Sequence, residues 1–405
     1  MKLYIGIDWS SKKHDVCMMN EKGGVLELFE IENNQEGYWR LEERRKKYGV
    51  DIDNSSIGIE TNYNLVIDFF IDQGYRNIYV IPPHLTHGNR SRFAVSKGHN
   101  DASDAKLIAE ILRTDQGRLL PWQPDLPITR QIRAQINLIR FLTTEMVRFQ
   151  NRFRDTLNMY YPQATKLFSD LDAKINLRFV MAYPNPESAR SLSVEAFTKF
   201  CKENRYSRPK RIPEIYARLF ADYPKPNPDT VLTYQSEALL FAKTLLILKE
   251  FREREEKTLK HLFVQHPDHH IFASLPGVGE FLAPALLAKF GDHRDRFPTP
   301  QVLQAVAGTA PVTSSSGKSK KIYFRKACDH EFRWIVQTWA AHSIEKSVWA
   351  AAYFAHAFPS SKSYNHACRC LANRWLNILW RLWMDRTPYD EVLHLKRRAK
   401  FTTNR

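Results

Sequence analysis

Four carboxylates in the N-terminal region carry the strongest chemical signal in this chain. Asp8 closes an apolar run, Tyr-Ile-Gly-Ile-Asp8, and Glu60 closes another of the same cadence, Ser-Ile-Gly-Ile-Glu60. Asp101 and Asp104 open a segment with helical spacing, Asp101-Ala-Ser-Asp104-Ala-Lys-Leu-Ile. Acids at the exits of two strands and at i, i+3 on one helix face can converge on a single point. Converged carboxylates repel one another unless a hard cation lies between them, and an all-oxygen donor set suits Mg²⁺, or alternatively Mn²⁺. On a basic protein, such a site points to metal-assisted chemistry on phosphodiesters. Taken singly, each acid has a plainer reading: Asp101 as a helix N-cap, Asp104 as a first-turn charge, Asp8 and Glu60 as turn-making acids at strand ends. All four together, two of them in a repeated hydrophobic-Gly-Ile-acid context, favour the metal site. Nearby Asp15 reads as a surface or supporting residue.

The elements that must position these acids follow from the hydrophobic pattern. Residues 3–8, 14–20 and 25–31 read as three strands with turns at Ser10-Ser11 and Lys22-Gly23-Gly24. A polar amphipathic helix over 35–48, a strand at 55–60, a helix at 63–74 and a strand at 77–82 follow. Three meandering strands and then alternating helix and strand describe a ribonuclease H-like layout, with acids at the ends of the first and fourth strands and on a later helix. Pro121, Pro124 and Pro127 mark a linker. Beyond it, Ile132, Ile136, Ile139, Thr143, Met146, Gln150, Phe153, Leu157 and Tyr160 recur by three and four, and a second seam runs Ala238, Phe241, Leu245, Leu248, Arg252, Glu255, Leu259, Leu262. The two seams predict a coiled-coil hairpin or dimerising arm, with an ordinary helix pair as the plainer reading. Between them lies a basic, Pro-punctuated insertion whose run Arg205-Tyr-Ser-Arg-Pro-Lys-Arg211 suits a phosphate contact or a solvated loop. The expected class is therefore α/β plus all-α, with segments 1–120, 121–265 and 266–405.

Net charge is +16 over 405 residues, and it is unevenly spread. Residues 1–120 hold 16 Lys and Arg against 18 Asp and Glu, and the remainder holds 44 against 26. The acids thus lie in a near-neutral module and the positive surface lies downstream, where phosphate backbones are its natural partner. The five cysteines, Cys17, Cys201, Cys328, Cys368 and Cys370, are scattered and odd in number, as expected of reduced thiols rather than a disulfide framework or a zinc site. No uninterrupted run of 18 apolar residues occurs, and the N-terminal apolar run is interrupted by Asp8, so a cytoplasmic protein with no membrane association is expected.

The last segment holds two further motifs. Leu275-Pro-Gly277-Val-Gly279-Glu-Phe-Leu resembles a helix-hairpin-helix turn, whose glycines let backbone N–H groups approach a phosphate at a helix N-terminus; a purely structural turn is the alternative. A serine-rich stretch, Thr313-Ser-Ser-Ser316-Gly317-Lys318-Ser-Lys320-Lys321, reads as a loop and is followed by Arg325 and Lys326. The tryptophans at 334, 339, 349, 375, 380 and 383 read as core or interface rather than base-stacking platforms, and His266, His269 and His270 as loop histidines.

With these segments in view, GIDWSSKKHDVC, IGIET, KGHNDASDAKLIAEIL, LPGVGEFLAPALLAKFGD, AGTAPVTSSSGKSK and LANRWLNILWRLWMDRTPYDE resemble, in order, the DEDD-type insertion-sequence transposases. These recombinases are known for guidance by a bridge RNA, also called seekRNA. The resemblance implies a resolvase-like N-terminal domain whose four acids map onto Asp8, Glu60, Asp101 and Asp104. It implies a coiled-coil connection and a C-terminal domain whose catalytic serine maps onto Ser316, with Ser315 and Ser314 as neighbouring alternatives. The long middle insertion is similar to that of the larger subgroup. The implied partners are double-stranded DNA at element ends and target, a structured guide RNA and a second copy of the chain, as a dimer or tetramer that shares its active site. The implied setting is the nucleoid of a bacterium or archaeon. A metal-dependent junction resolvase or nuclease, with water rather than serine attacking, is the competing expectation.

Overall fold

The structure, a computed structural model, describes residues 1–61, 64–82, 85–86, 88, 101–316 and 319–403. The chain divides into two compact units, Met1–Asp125 and Leu126–Arg405.

In the first unit, strands β1 (Leu3–Trp9), β2 (Lys13–Asn20) and β3 (Val25–Glu32) form an antiparallel meander. Helix α1 (Gln35–Lys47) follows, then β4 (Ser55–Ile59), α2 (Leu65–Asp72), β5 (Ile78–Val80) and α3 (Asp101–Asp115). The sheet order is β3-β2-β1-β4-β5, with β4 parallel to β1 and β5 parallel to β4. This mixed sheet is consistent with a ribonuclease H-like layout, and the strands fall within a residue or two of the ranges that alternation predicts. Successive side chains leave opposite faces of a strand. Leu3, Ile5 and Ile7 therefore pack with Tyr38, Leu41, Val66 and Phe70 of α1 and α2. Tyr4 instead joins Ile108, Ile111 and Leu112 of α3 on the other face. Asn34 and Asn64 start α1 and α2 by accepting the Gly37 and Ile67 amides, which satisfies otherwise orphaned N–H groups.

The second unit is mainly helical. Its frame is α4 (Pro127–Tyr160) and a later helix of 38 residues, Pro228–Gln265. Between them the insertion folds into α5 (Lys174–Ala182), α6 (Pro186–Arg190), α7 (Val194–Glu203) and α8 (Ile212–Arg218), so the long helix is α9. Gln135 Nε2 donates to the Glu255 carboxylate at 2.6 Å, and Thr156 Oγ1 donates to Glu237 at 3.1 Å, so α4 and α9 run antiparallel. Two cores grip opposite ends of this pair. Ile132, Ile136 and Ile139 join Leu259 and Phe263 in one. Met146, Phe153, Leu157 and Tyr160 join Ala238, Phe241 and Leu245, with α5 to α8, in the other. Because the long helices belong to both cores, residues 126–405 form one compact unit, where three segments were expected for the whole chain.

The seam differs in detail from the spacing. Leu142 is buried and Thr143 is exposed, because burial follows the 3.6-residue helical period more closely than a strict heptad. The insertion contributes Phe168, Phe179 and Phe197 to its own core, while its run 205–211 is turn and one short 3-10 turn. By length and composition α9 is long and apolar enough to cross a membrane. Here it is one arm of a hairpin, with each end built into a protein core.

The remaining elements are α10 (His269–Ala273), α11 (Gly279–Phe290), α12 (Pro300–Val306), the hairpin β6 (Val312–Ser316) and β7 (Ser319–Tyr323), α13 (His330–Ser343), α14 (Val348–Ala357), α15 (Tyr364–Asp385) and α16 (Glu391–Thr403). Trp339, Trp375 and Trp383 are fully buried in this core, and Trp349 nearly so. The Trp339 and Trp375 indoles donate to Pro276 O and Ser343 Oγ, as core tryptophans need. All five cysteines are free thiols.

Candidate active site

The repeated Ile-Gly-Ile-acid motif acquires its meaning from strand register. β1 and β4 are adjacent and parallel, and Ile5 pairs with Ile57, Gly6 with Gly58 and Ile7 with Ile59. Asp8 and Glu60 are the next positions of the two chains, so they stand side by side where the strands end, on neighbouring backbones about 4.8 Å apart. Both lie on the face of their glycines, two residues earlier, which is the face that α3 covers.

The glycines set how closely α3 approaches. A Cβ at Gly6 would lie 2.1 Å from the Ala105 carbonyl oxygen and 2.4 Å from the Ala109 nitrogen, and one at Gly58 would lie 2.9 Å from Ile108 Cγ2. The direction of α3 is also clear. The guanidinium of Arg113, near its C-terminus, reaches the Glu21 carbonyl beyond β2, beside the start of β1. The N-terminal turn of α3 therefore points toward the ends of β1 and β4, bringing Asp104 to the same end of the sheet as Asp8 and Glu60. A helix N-terminus also favours negative charge.

Asp8 and Asp104 are half-buried, as is Glu60, whose Oε1 accepts from the buried Thr86 hydroxyl at 2.8 Å. Thr86 is a partner that the sequence did not reveal, since it lies 26 residues from Glu60. Asp15 sits directly opposite Asp8 in the β1–β2 register, hence on the same face, a closer neighbour than the linear spacing suggests. Beneath the acids, burial pushes the Cys17 thiol up to about 11, leaving it neutral and inert. Asp101 begins α3, and its side chain lies outside the described residues. In donor type the acids suit a hard divalent cation. Among the described residues, however, no three metal-ligating groups lie close enough to hold an ion.

Ser316 is in the second unit, at the end of β6. The expected loop is a β-hairpin, with all five residues of each strand exposed. The connection, Gly317 and Lys318, lies outside the described residues. Ser316 pairs with Ser319, Ser315 with Lys320 and Ser314 with Lys321. Alternation therefore sorts the candidates. Ser314, Ser316, Ser319 and Lys321 share one face of the ribbon; Ser315 and Lys320 share the other. Arg325, just past β7, donates through Nε to the Ala310 carbonyl at 3.1 Å, closing the base of the ribbon, and Lys326 is exposed.

The other expected nucleic-acid contacts fall differently. Gly277 adopts φ +77°, and a Cβ there would lie 2.7 Å from the His342 carbonyl carbon, so its lack of a side chain serves packing against α13. Gly279, at φ +60°, is exposed with open space where a Cβ would be. In the insertion, Arg211 is committed to an ion pair with Glu214, whose carboxyl is held down to about 2 by hydrogen bonds from Arg211 and Arg218. Of the three expected loop histidines, His269 and His270 begin α10, while His266 lies in the bend between α9 and α10 but is buried: its Nδ1 accepts from the Asp268 amide at 3.0 Å, and its Nε2 lies 3.1 Å from Asp292 Oδ1.

A mixed sheet with two strand-end acids side by side, in a chain whose second unit is basic and helical, is consistent with the class of enzymes that act on nucleic-acid phosphodiesters. Comparison with known proteins narrows this. The DEDD-type transposase model named for IS110 matches residues 5–162, and that of the IS116/IS110/IS902 transposase family matches residues 269–355. The chain is 25% identical over 401 residues to the IS117 mini-circle protein of Streptomyces coelicolor, which is named as a transposase, with 96% of each chain covered. It is 24% identical over 410 residues to the IS116 insertion-element protein of Streptomyces clavuligerus, covering 96% of this chain and 98% of that one. The chain belongs to the IS110/IS116/IS902 family of DNA transposases.

Proposed function

We propose that this transposase cuts and rejoins DNA through a serine nucleophile, with its acids holding Mg²⁺ or Mn²⁺ and with a structured bridge RNA selecting the DNA. The observation that carries the acid half is the shared register of the two Ile-Gly-Ile-acid strands beneath the N-terminus of α3. Asp8, Glu60, Asp104 and Asp101 would hold the ion, which when bound supplies charge neutralisation at the scissile phosphate. Thr86 orients the Glu60 carboxylate, and Asp15 is placed to support Asp8.

On the ribbon, Ser316 Oγ attacks phosphorus, giving a phosphoserine link and releasing one DNA oxygen. A later attack by a DNA hydroxyl reverses the exchange and frees the serine. Both steps conserve the phosphodiester bond count, so no nucleotide hydrolysis is needed. Lys321, on the same face as Ser316, is placed to hold the phosphate and offset its developing charge. Gly279, Lys318, Lys320, Arg325 and Lys326 contribute backbone contacts, and Gly277 shapes the turn that presents Gly279. Guide pairing would supply sequence choice, leaving the protein to read shape and backbone. The working particle is a dimer or tetramer in which one protomer supplies acids and another the serine, acting on cytoplasmic DNA.

Trapping decides the nucleophile. Wild-type protein stalled on DNA, digested with nuclease and read by mass spectrometry, should carry a nucleotide on Ser316, and Ser316→Ala should carry none while still binding DNA. An adduct on Ser315 would turn the ribbon over. Cleavage with no adduct on any serine would establish the water-attack nuclease instead.

A further inference from the structure

At the root of the serine ribbon, one exposed aromatic ring carries two cations. Phe324 follows β7 directly and is 48% exposed. The guanidinium carbon of Arg333, from α13, lies 4.4 Å from its ring centroid, and that of Arg369, from α15, lies 4.7 Å from it. These two arginines have different supports. Arg333 is braced: it donates to the Arg325 carbonyl, and its guanidinium occupies the space a side chain at Gly308 would fill, 2.5 Å from the position of that absent Cβ. Its Nε is buried and has no hydrogen-bond partner. Arg369 is half-buried and makes no ion pair or hydrogen bond among the described residues; its contact is with the ring.

The acids that could neutralise the pair are engaged elsewhere. Lys289 Nζ holds both Asp329 and Glu331, at 2.8 and 2.9 Å, and Arg140 also pairs with Glu331. Two half-desolvated guanidiniums gathered on one ring, without a carboxylate, form an incomplete arrangement. Burial, and then the like charge of Arg333, lower the Arg369 pKa, which is the direction expected of a cation short of an anion.

We infer that Arg369, with Arg333 and Phe324, forms a subsite for the phosphate backbone of the DNA strand that runs from the serine ribbon. A guanidinium fork suits phosphate oxygens, and an aromatic edge suits the adjoining sugar or base. Arg333 is the positioning member, tying Gly308 before β6 to Arg325 after β7; Arg369 is the member that meets the ligand. This rests on the ribbon being the DNA-cutting element, but its test requires no cutting.

The test is binding of full-length Ser316→Ala protein to a short random-sequence duplex and to its single strand, across a salt series. Arg369→Gln should weaken DNA binding about tenfold and reduce the slope of log K against log salt by about one. Arg369→Lys should recover the slope but only part of the affinity, since charge returns without the fork. Melting of Arg369→Gln should be unchanged or slightly raised, because a like-charge contact is relieved. Unchanged DNA affinity and slope in Arg369→Gln would overturn the subsite, and so would loss of guide-RNA binding with DNA binding intact. Failure to find a phosphoserine adduct would sink the serine mechanism and leave this binding result standing.

Discussion

The acid cluster and the serine ribbon solve opposite problems. Asp8, Glu60 and Asp104 stand at the end of a sheet whose two central strands, β1 and β4, are buried on both faces, beneath a helix seated on two glycines. The ribbon that bears Ser316 is exposed at every described position of its two strands. Carboxylates that must share a small space need a rigid frame, because their mutual repulsion would otherwise spread them. A nucleophile that must reach a phosphate in a bulky duplex gains from projecting beyond the core. On the proposed mechanism, rigidity thus falls where like charges meet and reach where DNA would be met.

The largest effect should come from the acids. Asp8→Asn and Glu60→Gln should each lower strand exchange by at least about a hundredfold, while metal-free protein melts at or slightly above the wild-type temperature. Strand-exchange assays with parallel melting curves test this, and wild-type exchange by either variant would remove the acid end from the chemistry. Next come the glycines. Gly6→Ala forces a methyl against α3 backbone and should cost about 1–3 kcal/mol of unfolding free energy. Thr313→Val, on the ribbon, should change it by less than about 0.5 kcal/mol. Denaturant midpoints compare the two, and equal costs would erase the contrast between a tight and a projecting element.

The ribbon's two faces offer a finer test. Lys321→Ala should slow adduct formation about tenfold, and Lys320→Ala clearly less, because only Lys321 shares the face of Ser316. Reversal of that order would point to Ser315. The smallest effect concerns Asp292, inside the second unit. Burial would raise its pKa, but hydrogen bonds from His266, the Leu126 amide and Thr129 outweigh this and hold it below the usual aspartate range. A depressed carboxyl stabilises the fold above its unfolded value, about 3.9, and loses that stabilisation as pH falls through the folded value. Melting temperature against pH should therefore drop through the acid range in wild type and drop less steeply in Asp292→Asn.

Much of the first unit was legible because its signals are local. Alternation revealed the strands, Gly74 and the paired prolines revealed the stops, and the repeated Ile-Gly-Ile-acid cadence marked Asp8 and Glu60. What that cadence did not reveal was why glycine precedes each acid by two residues; the reason is α3, which comes much later in the chain and packs on both glycines. In the second unit the heptad reading placed Thr143 inside, where Leu142 is buried instead. The insertion's four short helices were not legible because they are brief and Pro-punctuated, although its phenylalanines already held the material of a core. The serine stretch looked like loop because serine and lysine carry no alternation of polarity, and its strand pairing rests on backbone hydrogen bonds alone.

Sequence by itself determined which chemistry this protein can host: four acids, a serine beside lysines, and a positive charge confined to the downstream part. These are properties of residue type and order, and they survive any arrangement of the chain. Tertiary structure decided which groups lie near one another. Register set Asp8 beside Glu60, helix direction brought Asp104 to them, and hairpin pairing separated Ser316 from Ser315. It also gathered Arg333 and Arg369 onto Phe324 from two helices. Those outcomes depend on contacts between residues far apart in the chain, and no local pattern encodes the partner across such a gap.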